Sequence, residues 1–223
     1  MNIIKNNLIF VLAIVAIIGG AVYVYSNKSN SENNNVNPAA TIHQDTDFIL
    51  GSEDAKVVVH QYSDFLCPSC SKFSTEIKPQ IADTYINTNK VKYVFTPLAN
   101  ITADSAVAAA GLYCAKDQNK TWDYMHEAYS SVWNNYFSKG VDPKNVPIFK
   151  PSAVKQMANK IGLNSSEFNS CIDTGKYAQT VKKATLQAQK DGVAGTPYFT
   201  INQQTIEGYA SYNVIEKAIK SNL

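Results

Sequence analysis

Arginine is absent from the 223-residue chain, and all 20 of its basic residues are lysines. A lysine is a point charge without the planar guanidinium fork that binds phosphate and guanine through two hydrogen bonds at once. The formal net charge is only +2, and no basic stripe runs along the sequence. Both features argue against a nucleic-acid-binding protein, and no nucleic-acid partner is expected.

Histidine is also scarce, and the three histidines, His43, His60 and His126, do not show the spacing of metal ligands. His60 lies inside a predicted strand, where we interpret it as a packing residue. The histidines give no ligand set, and we predict no bound metal and no cofactor. The N-terminal region also lacks a lipobox-like cysteine and a twin arginine, so it has neither of these export signals.

The one long apolar run stands near the N-terminus, where Leu8 to Tyr25 follow Lys5. At 1.5 Å per residue its 18 residues nearly span a hydrocarbon core, which favours an uncleaved signal anchor. Tyr23 and Tyr25 suit a membrane–water interface. A cleaved signal peptide with Leu8 to Ile18 as its core is the alternative. Either interpretation places the rest of the chain outside the cytoplasm.

Asparagine, serine, lysine and glutamate dominate the next stretch, Ser26 to Thr41. A segment of this composition cannot bury enough apolar surface to offset its ordering entropy. We therefore predict a signal anchor or signal peptide over residues 1–26 and an Asn/Ser-rich linker over residues 27–47. The linker is too short to contain a dimerisation domain, so we expect a monomer that is not a disulfide isomerase.

The remaining residues alternate between strand and helix patterns. A β-branched run predicts a buried strand at 57–62, and a second strand is predicted at 91–95, closed by Thr96-Pro97. Between them, apolar residues recur every four positions in a helix from about 69 to 85. Further helices are predicted at 103–115, 121–137, 152–161, 165–172 and 177–190, followed by strands at 198–201 and 205–208 and a helix at 212–220. This order predicts an α/β fold whose sheet is interrupted by an all-helical insertion.

Cys67 and Cys70 stand where the first strand gives way to the first helix. A thiol at a helix N-terminus faces unpaired N–H groups and the positive end of the helix dipole, which favour the thiolate. Pro68 suits the first helical position, and Ser69 completes the four-residue motif. We therefore expect Cys67 to be the nucleophile and Cys70, one turn further along, to be the resolving thiol.

A C-x-x-C pair on its own has two other interpretations. It forms half of many zinc sites, with Cys114 and Cys171 as the remaining ligands here, but those two cysteines lack the paired spacing. It also forms a structural disulfide in some proteins, although such a small loop would stabilise the fold little.

A second motif, Gly195-Thr196-Pro197, lies directly before the strand that begins at Tyr198. Together with Ser63-Asp64-Phe65 and Cys67-Pro68-x-Cys70, it makes residues 48–223 resemble the DsbA-like branch of the thioredoxin superfamily. The resemblance implies a thioredoxin-like fold with an inserted all-helical domain. Residues 48–101 and 192–223 would form the thioredoxin-like part, and residues 102–191 the insertion.

The resemblance also implies an activity. The protein would be an exported thiol:disulfide oxidoreductase that donates the Cys67–Cys70 disulfide to unfolded or reduced exported proteins through a mixed disulfide. A membrane redox partner would then reoxidise the cysteine pair. Pro197 would follow a cis peptide bond and place Thr196 beside Cys67, where the Thr196 backbone could pair with an extended substrate. Family members carry an apolar surface around the motif, for which Phe65 and Leu66 are the candidates; Phe65 suits the core equally well.

The chain departs from many relatives at Gln61, where they carry a buried glutamate that moves protons at the resolving thiol. Because glutamine does not titrate, Asp64, water or a backbone group would have to handle the proton, although Asp64 also suits a structural role at the turn. The Pro-Ser dipeptide replaces the Pro-His of strongly oxidising relatives, so we expect a less oxidising potential.

Cys114 and Cys171 both fall in the helical insertion. The even cysteine count of an exported protein favours a disulfide between them, and some relatives carry a second disulfide. Two buried free thiols are the alternative.

Three other functions remain open from the sequence. An envelope disulfide reductase would use the same cysteines in the opposite direction. A non-redox peptide-binding chaperone would use the same groove without needing the thiols. A zinc-binding or envelope-scaffold protein would bind metal and would have no low-pKa thiol.

Overall fold

The computed structural model describes residues 41–143 and 146–223. These residues form a five-stranded mixed sheet with helices packed around it. Its strands are β1 (Phe48–Leu50), β2 (Val57–Asp64), β3 (Val91–Leu98), β4 (Tyr198–Ile201) and β5 (Gln204–Glu207). They lie in the order β1-β3-β2-β4-β5. Strands β2 and β3 are parallel, and every other neighbouring pair is antiparallel. The centre of the sheet is therefore β2, the strand that leads into the cysteine motif.

Helix α1 spans residues 68–86 and connects β2 to β3. It consists of the α-helical pieces Pro68–Lys72 and Lys78–Ile81 and the π-helical pieces Phe73–Ile77 and Ala82–Ile86. The other helices are α2 (Ala103–Lys116), α3 (Thr121–Asn135), α4 (Pro151–Lys160), α5 (Ser165–Asp173), α6 (Ala178–Lys190) and α7 (Tyr212–Lys220), and a 3₁₀ turn follows α3 at Phe137–Lys139. This is the predicted α/β fold: a thioredoxin-like sheet with a helical insertion between β3 and β4.

The π turns of α1 follow from its sequence. A strict four-residue apolar repeat drifts around a helix of 3.6 residues per turn, and wider turns keep the repeat on one face. The Lys78 N–H accordingly bonds five residues back, to the Phe73 carbonyl. Pro79, which has no N–H to donate, follows directly after this wide turn. All four repeat residues are buried: Phe73, Ile77, Ile81 and Tyr85.

The predicted strands differ most from the structure at β1 and at the end of β3, while the bounds of β2 and β5 shift by one or two residues. Strand β1 was not predicted, because three residues are too few to show an alternating pattern. Strand β3 was predicted to end before Thr96-Pro97, but it continues to Leu98. A proline is tolerated there because β1 pairs only with residues 93–95 and leaves this stretch of β3 at an open edge.

The folded part of the chain also begins earlier than the predicted linker boundary at residue 47. Thr46 and Asp47 are buried. The Thr96 hydroxyl donates to Asp47 Oδ1 at 2.6 Å, and the Tyr113 hydroxyl donates to the Thr46 carbonyl at 2.6 Å. The Asn/Ser-rich composition ends at Thr41, and the predicted linker was extended too far beyond it, to residue 47. The predicted signal segment and residues 27–40 of the predicted linker lie outside the described residues.

The helical insertion shares its core with the sheet. Phe65, directly after β2, packs against Phe95 of β3 and against Tyr124 and Tyr129 of α3, with ring centroids 4.6 to 6.3 Å apart. Helices α2 and α3 approach closely at Gly111, where an added Cβ would lie 2.1 Å from the Tyr124 hydroxyl. None of the helices in residues 41–143 and 146–223 is long and apolar enough to cross a membrane.

Candidate active site

Cys67 is the N-cap residue of helix α1, and Pro68 occupies the first turn. Strand β2, the centre of the sheet, ends three residues earlier and therefore holds this helix N-terminus in place. Cys67 Sγ accepts a hydrogen bond from the Cys70 N–H at 3.2 Å, as expected for a side chain that caps a helix. Pro68 is exposed and Ser69 is half-buried, so the motif forms a rim of the site.

The two thiols of the motif differ in their electrostatic environment. Both cysteines are free in this structure. Hydrogen bonding from Cys70, above all from its thiol, lowers the pKa of the Cys67 thiol against the opposing effect of burial. Cys70 has no exposed surface, and burial raises the pKa of its thiol well above the ordinary value. The site therefore favours a thiolate at Cys67 and a neutral thiol at Cys70.

This asymmetry predicts the pH dependence of thiol modification. Iodoacetamide should alkylate the reduced protein at Cys67 alone, with a midpoint below the ordinary thiol pKa of about 8.5. The pKa of Cys67 is lower in the folded protein than in the unfolded chain, so the Cys67 thiolate stabilises the folded, reduced protein at pH values above the unfolded-state pKa. This stabilisation is lost as the pH falls through the folded-state pKa. Mass spectrometry of the alkylated peptides at a series of pH values measures both the labelled cysteine and the pH midpoint of labelling. Equal labelling of Cys70, or a midpoint at or above the ordinary value, would contradict the prediction.

The Gly195-Thr196-Pro197 segment lies directly beside the cysteine motif. The Thr196–Pro197 peptide bond is cis. The Cys67 thiol donates to the Thr196 carbonyl, with Sγ and O 3.3 Å apart. Pro197 is buried, whereas Thr196 is half-buried and borders a groove of about 610 Å³. That groove is lined by Asn100, Ile101, Gln189 and residues 192–196. The structure thus brings the two sequence motifs into contact, and Gly195 and Thr196 line the groove.

Phe65 and Leu66 do not form a substrate-binding surface, and this prediction was wrong. Phe65 has no exposed surface and only 2% of Leu66 is exposed. Phe65 is enclosed by the aromatic rings of β3 and α3, so its apolar side chain belongs to the core. Exposure cannot be read from a residue type, since a large aromatic before a helix suits either a rim or a core position.

Asp64 has a structural role that the sequence left open. Its Oδ1 accepts hydrogen bonds from the Leu66 N–H and the Ser105 hydroxyl, at 2.8 Å each. Its Oδ2 accepts from the N–H groups of Asn100 and Ile101, at 2.9 and 3.2 Å. Burial raises the pKa of this carboxyl, and the hydrogen bonds act against the rise. Asp64 therefore ties the turn before Cys67 to the segment that enters α2.

A buried polar network beneath Cys70 was not predicted. It joins Gln61 and Ser63 of β2 to Tyr93 of β3 and Tyr129 of α3 through three hydrogen bonds of 2.6 to 3.0 Å. Gln61 and Ser63 stand two residues apart, so they lie on the same face of β2. The spacing of Gln61 and Ser63 indicates two polar side chains on one face of the strand. It does not indicate their partners, because Tyr93 and Tyr129 come from distant segments.

Cys114 of α2 and Cys171 of α5 form a disulfide, with their Cα atoms 6.0 Å apart. Because they bond to each other, they cannot complete a zinc site with Cys67 and Cys70. In the described ranges, no group of three or more histidine, cysteine or acidic side chains is arranged to hold a metal ion. His60 is buried at 2.6 Å from the Thr96 hydroxyl, and burial lowers its pKa to about 3, so the imidazole is neutral.

Comparisons with known proteins agree with this geometry. The family model described as Thioredoxin matches residues 43–221. A probable disulfide bond formation protein D of Bacillus anthracis is 25% identical over 218 residues, which cover 97% of this chain and 94% of the relative. The disulfide bond formation protein D of Bacillus subtilis is 25% identical over 183 residues, 78% of this chain and 76% of the relative.

Solved structures have the same fold. BdbD from Bacillus subtilis, in its oxidised form, superposes with a TM-score of 0.69 at 23% identity, covering 80% of this chain and 93% of that one. DsbA of Chlamydia trachomatis superposes with a TM-score of 0.66 at 20% identity, covering 82% and 96%. With the family match over residues 43–221 and the cysteine pair at the N-terminus of α1, the chain belongs to the thioredoxin family and has the fold of the DsbA structures.

Proposed function

We propose that the protein is an exported oxidase of protein dithiols, which donates the Cys67–Cys70 disulfide to other proteins. The observation that carries this proposal is the asymmetry of the two thiols at the N-terminus of α1. A stabilised Cys67 thiolate favours the reduced form of the pair, and a protein whose reduced form is stabilised is a stronger oxidant.

The reaction proceeds through a mixed disulfide. A substrate thiolate attacks Cys67 Sγ and breaks its bond to Cys70, which leaves as a thiolate and takes up a proton. A second substrate thiolate then attacks the substrate sulfur bound to Cys67, and Cys67 leaves as the stabilised thiolate. The substrate has lost two electrons and gained a disulfide, while the cysteine pair has been reduced.

The remaining assignments belong to the same proposal. The Thr196 backbone pairs with an extended substrate segment in the groove beside Cys67. Unfolded or reduced exported proteins are the substrates, and a membrane redox partner removes the two electrons and restores the disulfide. The protein works as a monomer outside the cytoplasm, anchored by residues 8–25 or released after signal cleavage. Residues 48–101 and 192–223 form the thioredoxin-like domain, and residues 102–191 form its insertion.

A reduction-potential measurement tests the direction of the reaction. We expect the full-length protein, equilibrated against reduced and oxidised glutathione, to show a potential near or above about −150 mV. The Pro-Ser dipeptide should keep it below the value of about −120 mV known for strongly oxidising DsbA. A potential near about −270 mV would assign the protein to the reductases instead. The absence of any redox equilibrium would favour the peptide-binding chaperone.

A further inference from the structure

The Cys70 sulfur is closed off from water, which poses a problem for the exchange reaction. Cys70 has no exposed surface. Exchange in either direction nevertheless passes through its thiolate, which leaves when Cys67 is attacked and must form again to resolve a mixed disulfide. An anion buried without solvent needs hydrogen-bond donors from the protein.

The polar network beneath Cys70 contains such a donor. The Tyr93 hydroxyl donates to Gln61 Oε1 at 2.6 Å, and Gln61 Nε2 donates to Ser63 Oγ at 3.0 Å. Ser63 Oγ and the Tyr129 hydroxyl lie 2.7 Å apart. All four residues are buried: Gln61, Ser63, Tyr93 and Tyr129. Hydrogen bonding by the Ser63 side chain, followed by the Asp64 backbone, lowers the pKa of the Cys70 thiol against the larger effects of burial and of Cys67.

The direction of these hydrogen bonds leaves the Ser63 proton available. A serine hydroxyl has one proton and two lone pairs, and the amide of Gln61 occupies one lone pair. When the Tyr129 hydroxyl donates to the second lone pair, the Ser63 proton is free to point at the Cys70 sulfur. When Cys70 is neutral or oxidised, the Ser63 proton can turn to the Tyr129 oxygen. Ser63 thus has a partner in both redox states.

The carboxylate of Asp64, next to Ser63 in sequence, is fully occupied by other hydrogen bonds. The two oxygens of Asp64 accept four hydrogen bonds from the surrounding turn, which uses the lone-pair capacity of a carboxylate. The other titratable groups that interact with Cys70 are Cys67, Tyr93 and Tyr129. Burial raises the pKa of both tyrosines well above their ordinary value, so they stay neutral.

We propose that Ser63 donates a hydrogen bond to the Cys70 thiolate during exchange, and that Tyr129 and Gln61 position that hydroxyl. The inference rests on the redox function proposed above. A neutral network thereby stabilises the resolving thiolate without a titrating acid beside it.

The rate of the resolving step measures this role directly. When the reduced full-length protein meets oxidised glutathione, the Cys67 thiolate attacks it and releases one glutathione. Cys70 then loses its proton, attacks Cys67 Sγ and releases the second glutathione, leaving the protein disulfide. The second release is intramolecular, so its rate is independent of the glutathione concentration and reports on the Cys70 thiolate.

Three variants separate the network from a general effect on packing. Ser63→Ala should slow the second release about 10- to 100-fold, as expected for the loss of a hydrogen bond to a charged group. Tyr129→Phe should slow it about 3- to 10-fold. Tyr124→Phe is the matched control, because it removes a buried hydroxyl of the same helix that has no hydrogen-bond partner among the described residues. Its rate should stay within about twofold.

Two further measurements distinguish this role from a structural one. Ser63→Ala should slow the attack of reduced glutathione on the oxidised protein by the same factor, so that the equilibrium constant stays within about twofold. Gln61→Glu should add an inflection to the pH profile of the resolving step that the unaltered protein lacks. Equal rates for Ser63→Ala and Tyr124→Phe, or a carboxylate inflection in the unaltered protein, would overturn the proposal. An unaltered protein that releases no glutathione would overturn the redox function itself.

Discussion

Replacing Cys70 by alanine is expected to trap substrates covalently on Cys67. The substitution removes the hydrogen bond from the Cys70 thiol, but Cys67 keeps the backbone N–H of residue 70 and its place at the helix N-terminus, so it can still attack a substrate disulfide and form a mixed disulfide. Without the second thiol, the bond between Cys67 and the substrate cannot be resolved from within the protein. Because the variant has no Cys67–Cys70 disulfide to donate, dithiol oxidation should fall by at least about 10³-fold, the scale on which the loss of an essential catalytic group acts.

Non-reducing electrophoresis with mass spectrometry of the adducts measures the trap, and the oxidation of a reduced test protein measures the lost turnover. Cys67→Ala is the first control, and it should form no adduct and show the same loss of turnover. A variant that lacks Cys114 and Cys171 is the second, and it should still turn over. Adducts that form through Cys70 in Cys67→Ala would reverse the two assigned roles.

Replacing both Cys114 and Cys171 by alanine is expected to lower the free energy of unfolding by about 4 kcal/mol. The two residues are 57 positions apart in sequence, so the disulfide removes a large amount of conformational freedom from the unfolded chain. It joins α2 to α5 within the insertion, far in sequence from the cysteine motif. The loss should therefore affect stability rather than the chemistry of the active site.

Urea denaturation of the oxidised protein and of the double variant measures this difference. The matched control replaces Cys67 and Cys70 by alanine, which removes a disulfide across only two intervening residues. The control should lose less stability, because its loop is far shorter. A loss below about 1 kcal/mol in the Cys114/Cys171 variant would contradict the loop-entropy argument.

Sequence patterns predicted most helices and strands because their signals are local. The four-residue apolar repeat of α1 and the β-branched run of β2 are visible within a few residues, and both elements are present. The three-residue strand β1 carries no such pattern. Strand β3 passes through Pro97 only because the neighbouring strand is short, and that fact belongs to the sheet rather than to the local sequence.

The sequence by itself determined the α/β fold with its helical insertion and the place of Cys67 at the start of a helix. Only the tertiary structure decided which side chains surround the thiols. It buries Phe65 against the rings of α3, commits Asp64 to four donors, and brings Tyr129 to Ser63 across 66 positions of sequence. Burial and hydrogen bonding between distant segments depend on how the elements pack, and no local pattern encodes that packing.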